Sequence, residues 1–455
     1  MPNEPLPPHV TETAEQVDHQ LIRAIGVPGL TANIVNSTIG AGIFVLPALV
    51  ARNLGAAAPL AFLACAVAMV LFVTCFAIAG SRVSLTGGLY AYVEVAFGPY
   101  IGFLAGFLYC LSAICAVAGV VNVFVDSMAG LLPILANPIL RILLMALVYG
   151  VLLLINIRGV RGGAGAVIIV TPAKLLPLAL FLCIGIFYLH PANFTWPGWP
   201  QTKDLNDSIV LLMFAFVGIE VALIPSGEVK NPSRTVPRSA YLALLVTTFI
   251  YLMIQVVAQG TLGQQLANYP KGPLAEAAAT FLGPTGRAIL LAGATISAVG
   301  FVTSDILSSP RMIFAFGRDG SIPAWFAHVH KNYRSPDVAI VTYTLIAFAL
   351  SVSGSFERLA VLSNVAVLLM YLLCCLACWF LVQRDVRAEG APLNFPGMQL
   401  IPILAIAVNV WILAQSAFSE TDVGSDTRAG LRIAAIVIAI ASILYFARAK
   451  FWRPA

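Results

Sequence analysis

Asn36-Ser37-Thr38-Ile39-Gly40-Ala41-Gly42-Ile43-Phe44 lies near the middle of residues 24–51, a run without a single charged side chain. The run is long enough to cross a hydrocarbon core of about 30 Å, which takes about 20 apolar residues in a helix. Two glycines one residue apart weaken that helix at its centre, each by about 1 kcal/mol relative to alanine. A bilayer supplies no water to a loosened backbone, so every freed N–H and C=O must find a partner inside the protein. The stretch therefore reads in one of two ways. Small residues let two helices pack closely, or the helix is interrupted so that its main chain meets a solute.

A second stretch, five spans later, has the same character. Phe214-Ala215-Phe216-Val217-Gly218-Ile219-Glu220 places a glycine and a carboxylate near the middle of residues 208–227. Unwinding the first helix at Gly40 to Gly42 leaves amides at the start of a half-helix, where the partial positive charge suits a carboxylate. Unwinding the second near Phe216 leaves carbonyls that can accept from an ammonium. An α-amino acid carries both groups. Ile39, Gly40, Ala41, Gly42 and Ile43 are thus expected on the carboxylate side of a solute. Phe214, Ala215, Phe216, Val217 and Gly218 are expected on the amine side.

The rest of the chain supports membrane-spanning helices. It is 60% hydrophobic and 10% charged, against about 25% charged residues in soluble domains, so a water-facing surface could not be built. Charge-free runs recur at 53–81, 95–125, 175–202, 239–270, 359–383 and 390–419. Shorter or once-interrupted apolar runs bring the expected count to about twelve transmembrane helices in an all-α membrane protein. Runs of this length lack the polar alternation of a barrel. Residues 1–23, with Pro5, Pro7 and Pro8, read as a cytoplasmic tail and lack the order of a cleaved signal peptide. With that tail inside, sixteen of the 25 Lys and Arg residues fall on the cytoplasmic side and eight on the other. This bias favours both termini in the cytoplasm. The net charge of +5 is explained by this topology and calls for no nucleic-acid partner.

An internal echo divides the chain further. Shifting the sequence by 185 positions superposes Gly87 on Gly272, Leu89 on Leu274, Gly98 on Gly283 and Pro99 on Pro284. The segments are five spans apart, and an odd separation inverts the second relative to the membrane. Transporters are often built from two such halves, whose broken helices frame the solute. The expected divisions are 24–202 and 203–389 as inverted repeats, and 390–455 as two added spans with a short cytoplasmic end.

Lys174 interrupts an apolar run in Thr171-Pro172-Ala173-Lys174-Leu175-Leu176-Pro177. A cation there costs at least about 2.5–3.5 kcal/mol, so it either snorkels towards Arg158 and Arg161 or serves a cavity. In a cavity its ammonium can stand in for a bound sodium ion or carry a proton, which makes it a candidate coupling residue. Glu220 is the second such candidate, or else ties down loose amides of span 1. Phe214 and Phe216 flank the expected carbonyl cluster, and a ring there can close over a solute. Asp305 is expected at the interface near Arg311, and Tyr90, Tyr92 and Glu94 suit the membrane boundary. The eight cysteines lie in apolar runs and read as packing residues. Neither they nor the five histidines form a metal or catalytic pattern, so no cofactor, metal site or enzyme chemistry is expected.

These residues resemble the amino acid/polyamine/organocation transporter superfamily, specifically its bacterial amino acid permeases. The resemblance is carried by Ile39-Gly40-Ala41-Gly42-Ile43-Phe44-Val45-Leu46-Pro47, by Phe214 to Glu220 continuing through Gly227-Glu228-Val229-Lys230-Asn231-Pro232, and by Ser309-Pro310-Arg311 to Pro323. It implies a leucine-transporter-like 5+5 inverted repeat with helices 1 and 6 broken, followed by two C-terminal helices. It also implies that Phe214 is the aromatic gate, a Trp in some diamine and arginine exchangers, and that Lys174 matches the lysine of sodium-independent members. The expected function is sodium-independent transport of a neutral L-amino acid across a cell membrane. Protons or a second amino acid would drive it. Exchange of an amino acid for its decarboxylated amine is the alternative within transport. A non-transporting sensor or assembly subunit is the alternative of another class.

Overall fold

The computed structural model describes residues 26–83, 89–158, 163–196, 198–220, 229–318, 320–386 and 392–451, side chains excepted at 163–172, 232–233 and 448–451. The cytoplasmic-tail assignment of residues 1–23 lies outside these, as do Gly87, Gly88 and Gly227-Glu228. The described residues are mostly helical, without a β-strand. In chain order the helices are α1 (Val27–Thr38), α2 (Leu46–Leu54), α3 (Ala58–Arg82), α4 (Leu89–Phe97), α5 (Pro99–Leu131), α6 (Pro138–Arg158), α7 (Gly163–Gly185) and α8 (Thr202–Phe216). There follow α9 (Pro232–Leu262), α10 (Pro273–Ser308), α11 (Pro310–Arg318), α12 (Asp337–Ser353), α13 (Phe356–Gln383), α14 (Leu400–Ala417) and α15 (Asp422–Phe451).

Among the described residues, 8 helical stretches are long and apolar enough to cross a membrane, and Ala173–Tyr188 and Asp337–Ser353 are shorter apolar helices. They differ in what surrounds them. α3, α5 and α13 are mostly buried in the protein, whereas α6 and α15 present most of their apolar surface outward. Leu143, Leu147, Leu154, Ile436, Ile443 and Phe446 are among the exposed side chains. In water such surface would mark an interaction site, whereas hydrocarbon covers it without cost.

Association in a membrane draws on close packing and interhelical hydrogen bonds rather than on hydrophobic burial. Both are present. α13 runs along α5, α9 along α3 and α1, and α10 along α5 and α7. Buried amides and hydroxyls then join neighbours. The Asn122 Nδ2 donates to the Ser351 carbonyl at 3.1 Å, Ser112 and Ser363 share a bond of 3.0 Å, and the Asn364 Nδ2 donates to the Val210 carbonyl at 2.7 Å.

Two glycine–proline pairs shape the backbone alike. Gly98 has φ 87°, ψ 175° and ends the short α4 just before Pro99 starts α5. Gly283 has φ 62°, ψ −155° and bends α10 just before Pro284. Positive φ is readily reached only by glycine, and proline suits the first position of the resuming helix because its missing N–H has no partner there anyway.

Two side chains expected at the membrane boundary are drawn into the helix packing. Tyr92 is fully buried, with its hydroxyl against Gly80, and Glu94, beside it on α4, packs its Cβ on Gly102 while staying partly exposed. The Tyr92 ring is enclosed because α4 lies along α5 and α13. Asp305 is also turned inward. Its carboxylate accepts from the hydroxyl of Tyr343, a fully buried residue of α12, and from Ser309 Oγ at 3.0 Å.

Candidate functional site

Helical winding stops twice in the core. α1 ends at Thr38, and Ile39 closes it with an amide bond of 2.9 Å to the Val35 carbonyl. Gly40 is extended, at φ −108° and ψ −163°, and Ala41–Phe44 form a single tight turn before α2 starts at Leu46. α8 ends at Phe216, with Val217 extended at φ −60°, ψ 135° and Gly218 at φ 114°. The last carbonyls of a helix and the first amides of the next have no partners within the helix. The two interruptions therefore bring loose main-chain groups of both kinds into buried surroundings.

The breaks touch each other. A β-carbon on Gly218 would stand 2.9 Å from the Ser37 carbonyl oxygen and 3.4 Å from Thr38 Cα. Glycine is needed at 218 for this contact as well as for its positive φ. On the other side of the first break, a β-carbon on Gly42 would stand 2.9 Å from the Phe214 ring. Phe214 meets Phe356 of α13 edge to face, with ring centroids 5.3 Å apart. The side chains of Arg52, on α2, and Glu357, on α13, form an ion pair. Gly42, Phe214, Phe356 and this pair tie α2, α8 and α13 together on one side of the breaks.

Side chains from other helices satisfy the loose groups. The Lys174 ammonium, buried on α7, donates to the Asn36 carbonyl at 2.6 Å. A cation placed on the last carbonyls of a helix also meets the negative end of its dipole. The snorkelling alternative is thereby corrected, since Lys174 reaches α1 and not the surface. The Tyr251 hydroxyl, on α9, lies 2.8 Å from the Thr38 carbonyl and 2.8 Å from the Ala215 carbonyl. Glu220 Oε2 accepts from the Gly218 amide at 3.1 Å and from the Tyr371 hydroxyl, on α13, at 2.8 Å. Its Oε1 is buried without a hydrogen-bond partner among the described residues. Glu220 thus ties down an amide of its own span, and the expectation that it serves span 1 is corrected.

The two phenylalanines part company. Phe214 faces Gly42, whereas Phe216 is fully buried and packs edge-on against Tyr251 at 5.4 Å. Ile39, Ala41 and Ile43 are likewise buried, as are Ala215 and Ile219. Tyr251 and Tyr371 are the residues that sequence reasoning missed. Their signal was position: each tyrosine lies well inside an apolar run, away from the interfaces where such rings usually gather, and a buried hydroxyl needs a partner.

Seven of the eight cysteines are buried, Cys183 is exposed, and no cluster of metal-binding side chains forms among the described residues. The two breaks thus meet in a buried core through main-chain groups and the side chains that bond them. Residues 25–442 match the sequence profile of the amino acid permease family.

The chain belongs to the amino acid permease family.

Members resembling it are distributed widely. The serine/threonine exchanger of Bacillus subtilis (strain 168) is 25% identical over 412 residues, covering 89% of this chain and 93% of the relative. The arginine/agmatine antiporter of Chlamydia pneumoniae is 26% identical over 412 residues, covering 86% and 84%. The methylthioribose transporter of Bacillus subtilis (strain 168) is 26% identical over 431 residues, covering 89% and 91%. The family and these relatives are transporters rather than enzymes. With its apolar helices, this permease is a multi-pass membrane protein that transports amino acids.

Proposed function

We propose that this permease is a sodium-independent secondary transporter of neutral L-amino acids, working by alternating access in a cell membrane with both termini cytoplasmic. The observation that carries the reading is the contact between the two helix interruptions, Gly218 on Ser37, in the buried core. The amides of Gly40, Ala41 and Gly42 receive the carboxylate at the head of a half-helix. The carbonyls of Phe214 to Val217 receive the ammonium, with Phe214 as the gate. An apolar environment of Phe214, Phe356 and Leu46 around Gly42 favours a substrate without a charged side chain.

The architecture proposed is twelve spans. Residues 24–202 and 203–389 form two five-span repeats of opposite orientation, and the last two spans follow. The matching glycine–proline bends at Gly98 and Gly283, 185 positions apart, support the repeat. The ammonium of Lys174 on the α1 carbonyl supports sodium independence, because a fixed positive charge already occupies the helix end. Lys174 and Glu220 are the proposed coupling residues.

Exchange of one amino acid or amine for another is the second mode, favoured by the serine/threonine exchanger and the arginine/agmatine antiporter among the relatives. Purified protein in vesicles separates the modes. Uptake that needs internal amino acid is exchange, and accumulation driven by a pH gradient in sodium-free buffer is proton symport. A radiolabelled competition panel of the twenty amino acids and common amines then sets specificity. Absence of uptake under both conditions would overturn the transport mechanism proposed here.

A further inference from the structure

A narrow cleft borders the first interruption. Phe44 and Val45, the last residues before α2, close its inner end, and Leu274 and Leu291 of α10 line its sides. Lys271 lines the same cleft, yet its side chain is 71% exposed, so it stands at the opening. Its ammonium lies 3.4 Å from Asp126 Oδ1, near the end of α5, and the same oxygen accepts from the Arg141 guanidinium on α6. Neither cation pairs with another carboxylate among the described residues, and the adjoining pair of Arg287 and Glu276 on α10 is neutral. One negative charge thus serves two positive ones, and the opening keeps a single positive charge in excess. Arg141 is the more sheltered partner. The bond to Lys271 is open to water and ions, which weaken it.

We infer that Lys271 and Asp126 form an outer binding site for the α-amino acid at the opening of this cleft, where the solute's carboxylate takes the ammonium of Lys271 and its own ammonium takes Asp126. The inference rests on the proposed site between the two breaks and on the proposed orientation, which puts Lys271 outside the cell. It deepens that reading by naming where the solute is held before it reaches the interruption. A zwitterion brings the same two charges that face each other in the ion pair. It enters by an exchange of partners, so neither charge is left bare while Lys271 and Asp126 part. The excess positive charge draws the carboxylate in first. Arg141 keeps the Asp126 carboxylate in place after Lys271 has let go. The apolar walls beyond suit an uncharged side chain, and the cleft ends beside the segment whose amides are proposed to receive the carboxylate.

The test uses cells expressing the full-length protein, which present a single orientation, and the radiolabelled amino acid with the highest affinity in the competition panel. Uptake is normalised to the transporter in the membrane. The kcat/KM for uptake should fall about threefold in Lys271→Gln and about tenfold in Lys271→Glu, because the field at the opening is first lost and then reversed. Lys271→Arg, which keeps the charge, should restore it. The equilibrium Kd in isolated membranes should stay within about twofold of wild type, since an entry site changes arrival and departure by the same factor. A merely structural latch acts in the opposite direction, because its removal frees the cleft and raises kcat/KM. Higher ionic strength should lower the wild-type kcat/KM and leave that of Lys271→Gln unchanged. The wild-type half of this comparison needs no variant to fold, and a salt-independent wild type would count against the outer site. Unchanged or raised kcat/KM in Lys271→Gln, with binding lost in Gly42→Leu, would overturn the outer site alone. Normal binding in Gly42→Leu would overturn the site between the breaks, and the outer site with it.

Discussion

Glycines at the interruptions of apolar helices divide into two kinds in this permease. At Gly98 and Gly283 the backbone takes a positive φ, proline restarts the helix at the next residue, and a β-carbon would meet nothing within 4 Å. At Gly42 and Gly218 a β-carbon would meet another part of the protein at 2.9 Å, in one case the Phe214 ring and in the other the Ser37 carbonyl. The first pair redirects a helix. The second pair allows two interrupted helices to approach each other, and two side chains from other helices, Lys174 and Tyr251, together with Glu220 held by Tyr371 of α13, stabilise what the interruption exposes. The difference teaches that a bend is satisfied locally, whereas a break in a water-free core needs hydrogen-bonding partners from elsewhere in the fold.

The largest effect is expected at Gly218. Gly218→Ala adds a left-handed backbone penalty of roughly 1–2 kcal/mol to a contact with the Ser37 carbonyl that cannot move aside. Radioligand binding and uptake should both be lost. Normal affinity in this variant would remove the distinction between breaks and bends.

Lys174→Ala comes next and should separate two functions. The Asn36 carbonyl loses its partner, yet the proposed carboxylate and ammonium contacts remain. Net transport should be abolished while affinity falls only severalfold, as read by uptake and binding on the same vesicles. Equal loss of both would argue that the lysine is architectural.

At Gly42 the obstacle is a ring and not a backbone, so relief is possible. Gly42→Ala should weaken binding about tenfold, and Gly42→Leu should abolish it. Truncating the gate in Gly42→Ala/Phe214→Ala should recover part of the affinity lost in Gly42→Ala, giving a coupling energy of about 0.5–3 kcal/mol between contacting residues. Strict additivity would show that the two do not meet during binding.

The smallest effect belongs to the bends. Gly98→Ala and Gly283→Ala should each lower stability by roughly 1–2 kcal/mol, seen as a modest drop in melting temperature, with KM unchanged. A large change in KM would mean that the bends take part in the site.

Much of this was open to sequence reading because the bilayer restricts the choices. Residues 53–81 and 359–383 can only be helices across hydrocarbon, and α3 and α13 occupy them. The glycines of the stretch from Asn36 to Phe44, and Gly218, mark where winding ends, at Thr38 and at Phe216. Other residues were opaque. Asp305 looked interfacial from its closeness to Arg311, but its carboxylate is set by Tyr343, 38 residues away. Tyr92 looked like a boundary ring, and α4 lies where that ring is enclosed. Glu220 could be placed at a break, but not against Tyr371, 151 residues on.

Sequence alone determined that the chain is helical, that it crosses a membrane repeatedly, and where its helices are weakest. Charge-free length and glycine content are local properties, and hydrocarbon converts them directly into structure. Which side chains serve the loosened main chain was decided only by the tertiary structure. Lys174, Tyr251 and Tyr371 come from three different helices, and a hydrogen bond depends on a distance in space that no spacing along the chain records.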